Sequence, residues 1–331
     1  GTELWDSALP AARPVANNAS YIFAPGVPLS VLPPGVAAGN PASAGPYTTS
    51  VVSTTTHGTL TLNLDGSFTY VPNAGFDGKD SFTFTVANST GTSLLAGTVT
   101  LSSEDFRWVQ DLYVDLLHRA PGATSDAEVL FWVNQLSGGM TRAQVATIFA
   151  NSTEYRSGLI NNYYEEYLGR PVDLATEMVL LQEMNQGLTA DGVVETILSS
   201  DEFFLRSGPA GFVNNLYQDL LGRQATLPEA GFWKQELIVN GVPRSTIVAA
   251  FLASIEYDTM VTETLYGRYL GRPADAAALV FWQGQLAAGH TPPDLEVALA
   301  ASNEFYTSGV VTPPVPSSGA PGAPPAPLLV Y

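Results

Sequence analysis

The 331-residue sequence contains no cysteine and few basic residues, with 13 Lys and Arg against 31 Asp and Glu, for a formal charge of −18. Without cysteine, a disulfide framework, a thiolate nucleophile and a Cys-ligated metal are all excluded. The shortage of positive charge disfavours a nucleic-acid partner and an anionic membrane surface, because phosphate binding needs a basic face. No apolar run approaches the roughly 18 residues needed to span a bilayer. Cations, Ca²⁺ above all, and neutral polymers remain open as partners.

Catalytic motifs are also lacking. Histidine occurs three times, in unrelated contexts and without metal-ligand spacing, at His57, His118 and His290. There is no G-x-S-x-G motif and no glycine-rich phosphate loop. The adjacent acids Glu165-Glu166 and Asp201-Glu202 are more typical of a solvated helix face than of a glycosidase pair. We therefore predict that the protein is not an enzyme.

The first hundred residues read as a β-domain. Four short stretches alternate apolar and polar residues between turn signals: Thr59–Asn63, Ser67–Val71, Ser81–Ala87 and Leu95–Leu101. Asp65-Gly66 between the first two is a hairpin signal, with Gly66 expected at positive φ. Short strands at this spacing predict an Ig-like β-sandwich over residues 14–102.

The stretch from Pro14 to Asn18 and the longer one from His57 to Phe84, which reads HGTLTLNLDGSFTYVPNAGFDGKDSFTF, resemble the bacterial cadherin-like, immunoglobulin-like modules of secreted proteins. The resemblance implies an Ig-like sandwich in an extracellular or cell-surface protein. The chain opens Gly1-Thr-Glu-Leu-Trp5, which is not a signal peptide, so we expect one to have been removed.

Asp77 and Asp80 stand in a glycine-containing turn of this domain. Related modules sometimes bind Ca²⁺, and these two carboxylates are the candidate calcium ligands. A calcium site takes six to eight oxygens, so two carboxylates are only a beginning. The alternative, which we favour, is that both side chains shape the turn by accepting hydrogen bonds from backbone N–H groups. Calcium is thus the one cofactor that the sequence leaves open.

Residues 103–309 carry four copies of one unit, with expected bounds 103–157, 158–208, 209–259 and 260–309. In each copy a Tyr stands six residues before an Arg: Tyr113 and Arg119, Tyr164 and Arg170, Tyr217 and Arg223, Tyr266 and Arg272. Each copy is read as closing on Ser-x-Glu-aromatic, with the glutamates Glu154, Glu202, Glu256 and Glu304. A period near fifty is typical of stacked or side-by-side helical modules. We expect these recurrent residues to be structural.

Each module is predicted to hold three helices. The first ends at a left-handed Gly before the Arg, at Gly169, Gly222 and Gly271, with His118 as a poorer substitute in the first module. The second surrounds Phe-Trp, at Phe131-Trp132, Phe232-Trp233 and Phe281-Trp282, with Leu180-Leu181 in the second module; we expect these side chains to fill the core. The third begins at an N-cap, namely Thr141, Thr189 or Ser245. We further predict that each Arg binds a recurrent Glu with two parallel hydrogen bonds or caps orphan helix carbonyls.

These modules resemble a bacterial domain family of unknown function, number 4214, which is similar to phycobilisome linker domains. The resemblance rests on Leu112–Arg119 with Phe131–Leu136, Leu216–Arg223 with Phe232-Trp233, and Leu265–Arg272 with Phe281–Leu286. It implies an α-helical secreted or surface protein and transfers no catalytic residue.

The two ends of the chain are apolar and carry little charge. Residues 310–331 form a Pro-rich arm with the composition of an extended linker, ending in Leu328, Leu329, Val330 and Tyr331. Residues 1–13 form an N-terminal arm containing Leu4 and Trp5. We expect one or both arms to dock on a neighbouring subunit, for example as an added strand on a sheet edge.

The sequence therefore predicts a multidomain protein, β then α: an Ig-like sandwich, an all-α repeat domain and an extended Pro-rich tail. The predicted function is a non-enzymatic extracellular structural subunit whose partner is itself, assembling into a filament, sheath or surface layer. The alternative is a monomeric adhesin that binds an extracellular polysaccharide, with or without Ca²⁺.

Overall fold

The computed structural model describes residues 13–122 and 126–308, which form two compact units. The first unit contains residues 13–111, 121–122, 126–139 and 306–308, and the second contains residues 112–120 and 140–305. The arm residues Leu4, Trp5 and Leu328 to Tyr331 lie outside the described residues, so their docking stays a prediction.

The β-domain consists of two sheets. Its strands are β1 (Ala19–Phe23), β2 (Leu29–Val31), β3 (Thr48–Ser53), β4 (Gly58–Leu62), β5 (Phe68–Pro72), β6 (Lys79–Asn88), β7 (Gly91–Thr92) and β8 (Gly97–Ser103). One sheet has the order β1-β8-β6-β3, with β7 paired to β6, and the other has the order β2-β5-β4. All pairs are antiparallel except β1 with β8. The hairpin between β4 and β5 turns at Gly66, whose φ of +86° confirms the predicted turn.

Aromatic side chains from both sheets fill the space between them. On β6 every second residue points inward, so Phe82, Phe84 and Val86 are fully buried. Phe68 and Tyr70 on β5 meet them from the opposite sheet, and the Phe68 and Phe82 rings lie edge to face at 5.3 Å. This period-two burial is what the alternating sequence predicts, and the sandwich is confirmed.

The remaining described chain is helical, in four successive triplets. The first helices are α1 (Glu104–Asp115), α4 (Thr153–Leu168), α7 (Asp201–Leu221) and α10 (Ile255–Leu270). The second helices are α2 (Ala127–Ser137), α5 (Leu174–Asn185), α8 (Leu227–Lys234, continued by a π-helical turn Gln235–Val239) and α11 (Ala276–Ala287). The third helices are α3 (Arg142–Ala150), α6 (Ala190–Leu198), α9 (Arg244–Leu252) and α12 (Pro292–Ala300), and α13 (Asn303–Ser308) follows. Inside α7 the backbone kinks at Gly208, just before Pro209.

The third helices pack against one another in the second unit. Helix α12 contacts both α3 and α6, and α6 contacts α9. The first helices α4, α7 and α10 pack around them. On α6 the apolar residues Val193, Val194, Ile197 and Leu198 are almost completely buried, which places this helix inside the unit. None of the helices within residues 13–122 and 126–308 combines the length and apolar character needed to cross a bilayer.

Two of the predicted helix boundaries are wrong. Ser-x-Glu-aromatic does not close a module; its Ser is the N-cap of the following helix, and the side-chain oxygen accepts a hydrogen bond from the backbone N–H of the aromatic residue. This holds at Ser152, Ser200, Ser254 and Ser302, with distances of 3.1 to 3.2 Å. Ser245 lies inside α9, which begins after Pro243 without a side-chain cap. Thr141 and Thr189 do cap α3 and α6 as predicted.

Candidate functional site

The recurrent Arg of each module follows a tight helix end. Gly169, Gly222 and Gly271 have φ of +64° to +65°, so the first helix stops in the left-handed conformation that glycine adopts most readily. His118 takes the same conformation with φ of +53°. In the first and third modules the Arg backbone N–H then donates to the carbonyl of the Tyr six residues earlier. The six-residue spacing is therefore a property of this helix end.

The structure brings each recurrent Arg together with a recurrent Glu. Arg170 donates from Nε and Nη2 to the two carboxylate oxygens of Glu202, at 2.7 and 2.6 Å. We call the four pairs the Arg–Glu junctions: Arg119–Glu154, Arg170–Glu202, Arg223–Glu256 and Arg272–Glu304. Because the Glu lies in the first turn of the following helix, each junction joins the end of one first helix to the start of the next.

Each guanidinium has two further contacts. Its Nη1 donates to the carbonyl of the next residue, at 3.1 to 3.2 Å in all four copies. Its carbon lies over the ring of the Tyr six residues earlier, at 4.8, 5.2, 4.7 and 5.4 Å from the centroid in chain order. Arg223 binds a second carboxylate, Glu229, at 2.8 and 3.0 Å. The junction thus combines a bidentate ion pair with a cation–π contact.

The charges at the junctions are mutually stabilised but remain accessible to water. The hydrogen bond to Glu202 raises the pKa of Arg170, and the same bond lowers the pKa of Glu202. The hydrogen bonds from Arg223 and Thr226 lower the pKa of Glu229 to about 2. Side chains at the four junctions are 36% to 46% exposed. The lowered pKa of Glu202 and of Glu229 keeps both carboxylates charged at neutral pH, which suits a structural ion pair.

The Phe-Trp pairs do not fill the core as predicted. Phe131, Phe232 and Phe281 are each 55% exposed. Each Phe lies edge to face against the Trp that follows it, with centroids 5.0 Å apart. We call these the exposed Phe-Trp pairs. The core-filling expectation was wrong for Phe because a second helix packs on one side only, which leaves the other side open.

The Trp of the pair is partly buried and anchored. In the third and fourth modules its indole N–H donates to the hydroxyl of the junction Tyr, Trp233 to Tyr217 at 3.3 Å and Trp282 to Tyr266 at 3.4 Å. The exposed Phe is therefore held, through Trp and Tyr, by the Arg of the same module. In the second module the equivalent Leu180 is buried, so this module has no such pair.

The second helices carry further exposed apolar residues, also in the second module, which lacks such a pair. They are Leu174, Met178 and Val179 on α5, Leu227, Ile238 and Val239 on α8 and its π-helical turn, and Val280 on α11, with exposures from 54% to 91%. Neither α8 nor α11 has a single buried residue. So many exposed apolar side chains on one class of helix are typical of an interaction surface.

Asp77 and Asp80, the candidate calcium ligands, have separate protein partners. Asp80 is almost fully buried, and its oxygens accept from the backbone N–H groups of Thr56, His57 and Ser81 at 2.8 to 3.0 Å and from the Tyr70 hydroxyl at 3.1 Å. Burial acts to raise the pKa of Asp80, but these hydrogen bonds outweigh it and the pKa falls below its ordinary value. Asp80 thus does what the turn-shaping alternative describes.

Asp77 faces other groups. Burial raises its pKa to about 6, a hydrogen bond with Ser103 acts against this, and the charge of Asp105 raises it further. Its Oδ1 atom is buried and has no hydrogen-bond partner among the residues that the structure describes. No cluster of three or more His, Cys, Asp or Glu side chains suited to a metal ion occurs in the part of the chain that the structure describes.

Sequence reasoning missed a cluster of tyrosines and acids inside the second unit. The Tyr155 hydroxyl donates to Glu296 Oε2 at 2.8 Å, and the Tyr257 hydroxyl donates to Asp191 Oδ1 at 3.2 Å. These contacts join residues 141 and 66 positions apart in the chain. The one local signal is Tyr163 with Tyr167, which stand one helical turn apart beside Glu166.

Comparison with known families agrees with both resemblances. A family model described as bacterial cadherin-like domain matches residues 12–105. A model for a domain of unknown function, number 4214, matches residues 97–159 and 194–261. No curated protein matches the chain. Neither domain is an enzymatic family, and a cadherin-like domain suggests an extracellular or adhesion-type role.

Proposed function

We propose that this chain, a cadherin-like module followed by helical repeats of the 4214 type, is a non-enzymatic extracellular structural subunit that binds further copies of itself. The assembly would be a filament, sheath or surface layer. The exposed Phe-Trp pairs are the observation that carries the proposal. Three identical, rigidly supported aromatic side chains in solvent are expected to be covered in the working form of the protein.

The exposed apolar area of the Phe side chains is large enough to drive association. A Phe side chain offers about 200 Å², so the exposed 55% corresponds to roughly 110 Å². Covering it would contribute about 2 to 3 kcal/mol for each Phe. The Trp beneath each Phe keeps the Phe ring from collapsing onto its own helix. The Phe side chain is therefore already ordered and loses little conformational entropy when a partner covers it.

Net charge opposes the same contact. Residues 103–308 carry 26 acids and 11 bases, so copies that approach through their repeats repel one another. Added salt screens this repulsion, with a Debye length of about 10 Å at 0.1 M and about 3 Å at 1 M. Self-assembly through apolar helix faces is therefore expected to increase with ionic strength. The C-terminal arm that ends in Leu328 to Tyr331 carries no charged side chain, so this repulsion does not oppose its docking on another copy.

The test is the mass distribution of the full chain, by mass photometry and negative-stain microscopy at low and high salt. Replacing Phe131, Phe232 and Phe281 by Ser should reduce polymers to monomers. The matched control replaces three apolar residues of the β-domain that are even more exposed, Leu64, Leu94 and Leu95, by Ser. A chain ending at residue 311 tests the arm. Wild-type protein that stays monomeric under all conditions, or a Phe variant that polymerises like the control, would overturn the proposal.

A second function, that of a monomeric adhesin, is favoured by the same aromatic pairs, because a flat exposed ring can stack on a sugar face. Monomers that bind extracellular polysaccharide on a glycan array, and lose that binding with the three Phe substitutions, would establish it. Repeating the array with a chelator tests the Ca²⁺ requirement at Asp77 and Asp80.

A further inference from the structure

A groove on the first unit lies between the segment that leads into β1 and the bend that joins β7 to β8. Residues 13–18 form one wall of this groove and residues 93–96 form the other. The space between the walls is about 420 Å³, and small-molecule sites typically occupy about 300 to 1,000 Å³. All of these residues belong to the same compact unit, so the groove is large enough for a ligand and complete within the β-domain.

Hydrogen bonds and a close backbone approach fix the first wall. The Val15 backbone N–H donates to Asn40 Oδ1 at 2.8 Å, and the Val15 carbonyl accepts from Asn40 Nδ2 at 2.9 Å. The segment then passes so close to β8 that a Cβ atom added at Gly97 would lie 2.8 Å from the Ala16 carbonyl oxygen. The shape of the groove is therefore set by the backbone.

Apolar side chains of both walls are open to solvent. Leu94 is 81% exposed, Leu95 is 80% exposed and Val15 is 58% exposed. The bend that carries the two leucines is tied to β6, because the Ser93 N–H donates to the Val86 carbonyl at 2.7 Å. Neighbouring apolar side chains that a fixed backbone holds in water are typical of a binding surface.

A guanidinium without a carboxylate partner stands at the β7 end of the groove. Arg13 and Lys79 are the two basic residues of residues 1–102. Lys79 binds Asp126 at 3.2 Å, whereas Arg13 has neither a hydrogen bond nor an ion pair with any residue in 13–122 or 126–308. Its Nε, Cζ and Nη2 atoms lie 3.6 to 3.8 Å from the place of a Cβ atom at Gly91, so the guanidinium rests against β7. An unpaired guanidinium is complementary to a carboxylate, which accepts two parallel hydrogen bonds from it.

The side chains of the two walls disfavour other ligand classes. Residues 13–18 and 93–96 include no acidic and no aromatic residue. A metal ion would lack the carboxylate oxygens that it needs, and a sugar would lack a ring to stack on. Apolar surface beside an unpaired guanidinium instead fits a ligand with an apolar body and one negative charge.

We propose that this groove binds a carboxylate with an apolar chain, of the medium-chain fatty acid class. Arg13 holds the carboxylate, and Val15, Leu94 and Leu95 cover the chain. The site is separate from the exposed Phe-Trp pairs and does not depend on self-assembly.

The experiment is isothermal titration calorimetry of the full chain with octanoate, at low salt, where the net charge keeps copies apart. One octanoate should bind per chain. Acetate has the same carboxylate and no apolar chain, so it should bind at least tenfold more weakly. The absence of octanoate binding, or equal affinity for acetate, would refute the site.

Arg13→Gln tests the contact with the carboxylate. It should raise the Kd for octanoate about fivefold and leave the Kd for octanol, the uncharged analogue, within about twofold. Lys79→Gln removes the same charge from the same domain and should leave octanoate binding within about twofold, because Lys79 is already paired with Asp126. Equal effects of the two substitutions on octanoate, or an equal loss of octanol binding, would show that Arg13 does not hold the carboxylate.

Leu95→Ser tests the contact with the chain and should raise the Kd for octanoate about tenfold. Leu32→Ser is the matched control, because Leu32 is also 80% exposed and lies outside the groove. Replacing Phe131, Phe232 and Phe281 by Ser should likewise leave the Kd within about twofold. Circular dichroism checks that each variant is folded. Binding that is lost with the three Phe substitutions but kept with Leu95→Ser would move the octanoate site to the helical repeats and overturn the assignment.

A chain that begins at residue 13 tests the other occupant, which is the N-terminal arm that contains Leu4 and Trp5. Octanoate should bind this chain and the full chain with the same Kd, within about twofold. Binding that occurs only after the arm is removed would mean that the arm itself fills the groove, and the assignment to a fatty acid would be wrong.

Discussion

The Arg170–Glu202 junction gives a stability prediction that can be worked out from its geometry. Its two hydrogen bonds are short and parallel, and the side chains are 39% and 43% exposed. Exposed ion pairs contribute about 0.2 to 1 kcal/mol, and bidentate geometry places this pair near the upper end. The Tyr164 ring, 5.2 Å away, adds about 0.5 kcal/mol. We expect Arg170→Gln to lower the free energy of unfolding by about 1.5 kcal/mol.

The assay is a double-mutant cycle, with urea unfolding of the full chain followed by circular dichroism. Arg170→Gln, Glu202→Gln and the double variant should give a coupling energy of about 1 kcal/mol, which falls in about 1 M salt. Arg156→Gln is the control. It lies on the same helix as the Tyr164 ring but is hydrogen-bonded to two neutral amides, those of Asn185 and Asn151.

A coupling energy below about 0.3 kcal/mol would refute the reasoning, because the junction would then contribute no more than an average surface pair. Arg170→Lys makes the same point by a different route. Lysine keeps the charge but cannot form two parallel hydrogen bonds or stack on the Tyr164 ring in the same way, so it should recover less than half of the lost stability.

Three other predictions follow from single residues. Gly271→Ala should destabilise the protein by about 1 kcal/mol, because Gly271 has positive φ. Gly267 lies inside the preceding helix with open space around it, so Gly267→Ala should stabilise the protein by up to about 1 kcal/mol. Thermal unfolding measures both changes, and equal signs would contradict the strain argument. Asp80→Asn should cost about 2 kcal/mol in urea unfolding because an amide cannot accept all the hydrogen bonds of the buried carboxylate, and an unchanged midpoint would show that the turn does not need them. Burial raises the pKa of Glu166 from 4.5 to about 7, so the neutral carboxyl stabilises the fold fully below about pH 4.5, and this stabilisation is lost as pH rises through 7. Glu166→Gln should therefore raise the free energy of unfolding by about 1 kcal/mol at about pH 8, after allowance for solvent exposure, and leave it unchanged at about pH 4.5. An effect that does not depend on pH would argue against the raised pKa.

Much of the fold could be predicted because its signals are local. Alternation over Ser81–Ala87 predicts a strand that the structure extends to Lys79–Asn88, and Asp65-Gly66 predicts the turn. The glycine stops of the first helices follow from the same kind of rule, since only glycine adopts the left-handed conformation at little cost. Because the sequence repeats, a local inference that is correct for one module is also correct for its counterparts.

The errors arose where a residue's role depends on what lies beyond its own element. A serine three residues before an aromatic serves equally as the end of one helix or the cap of the next, and Ser152 and its counterparts are caps. Phe232 has the pattern of a core residue, but exposure is decided by which sides of α8 other helices cover. The cluster of tyrosines and acids in the second unit could not be predicted, because Tyr155 meets Glu296, and Tyr257 meets Asp191, only through tertiary packing.

Helix α13 suggests how the number of helical repeats in such a chain could change. It is six residues long, yet it supplies Glu304 to Arg272 and begins with the same serine cap as a complete first helix. In effect it is the opening turn of a further first helix, and it completes the junction of the fourth module. Because every junction pairs a donor from one repeat with an acceptor from the next, duplication or loss of a whole repeat leaves no charge orphaned along the array. Recombination between copies can therefore change the number of repeats while α13 still supplies the acid of the last junction that the structure describes.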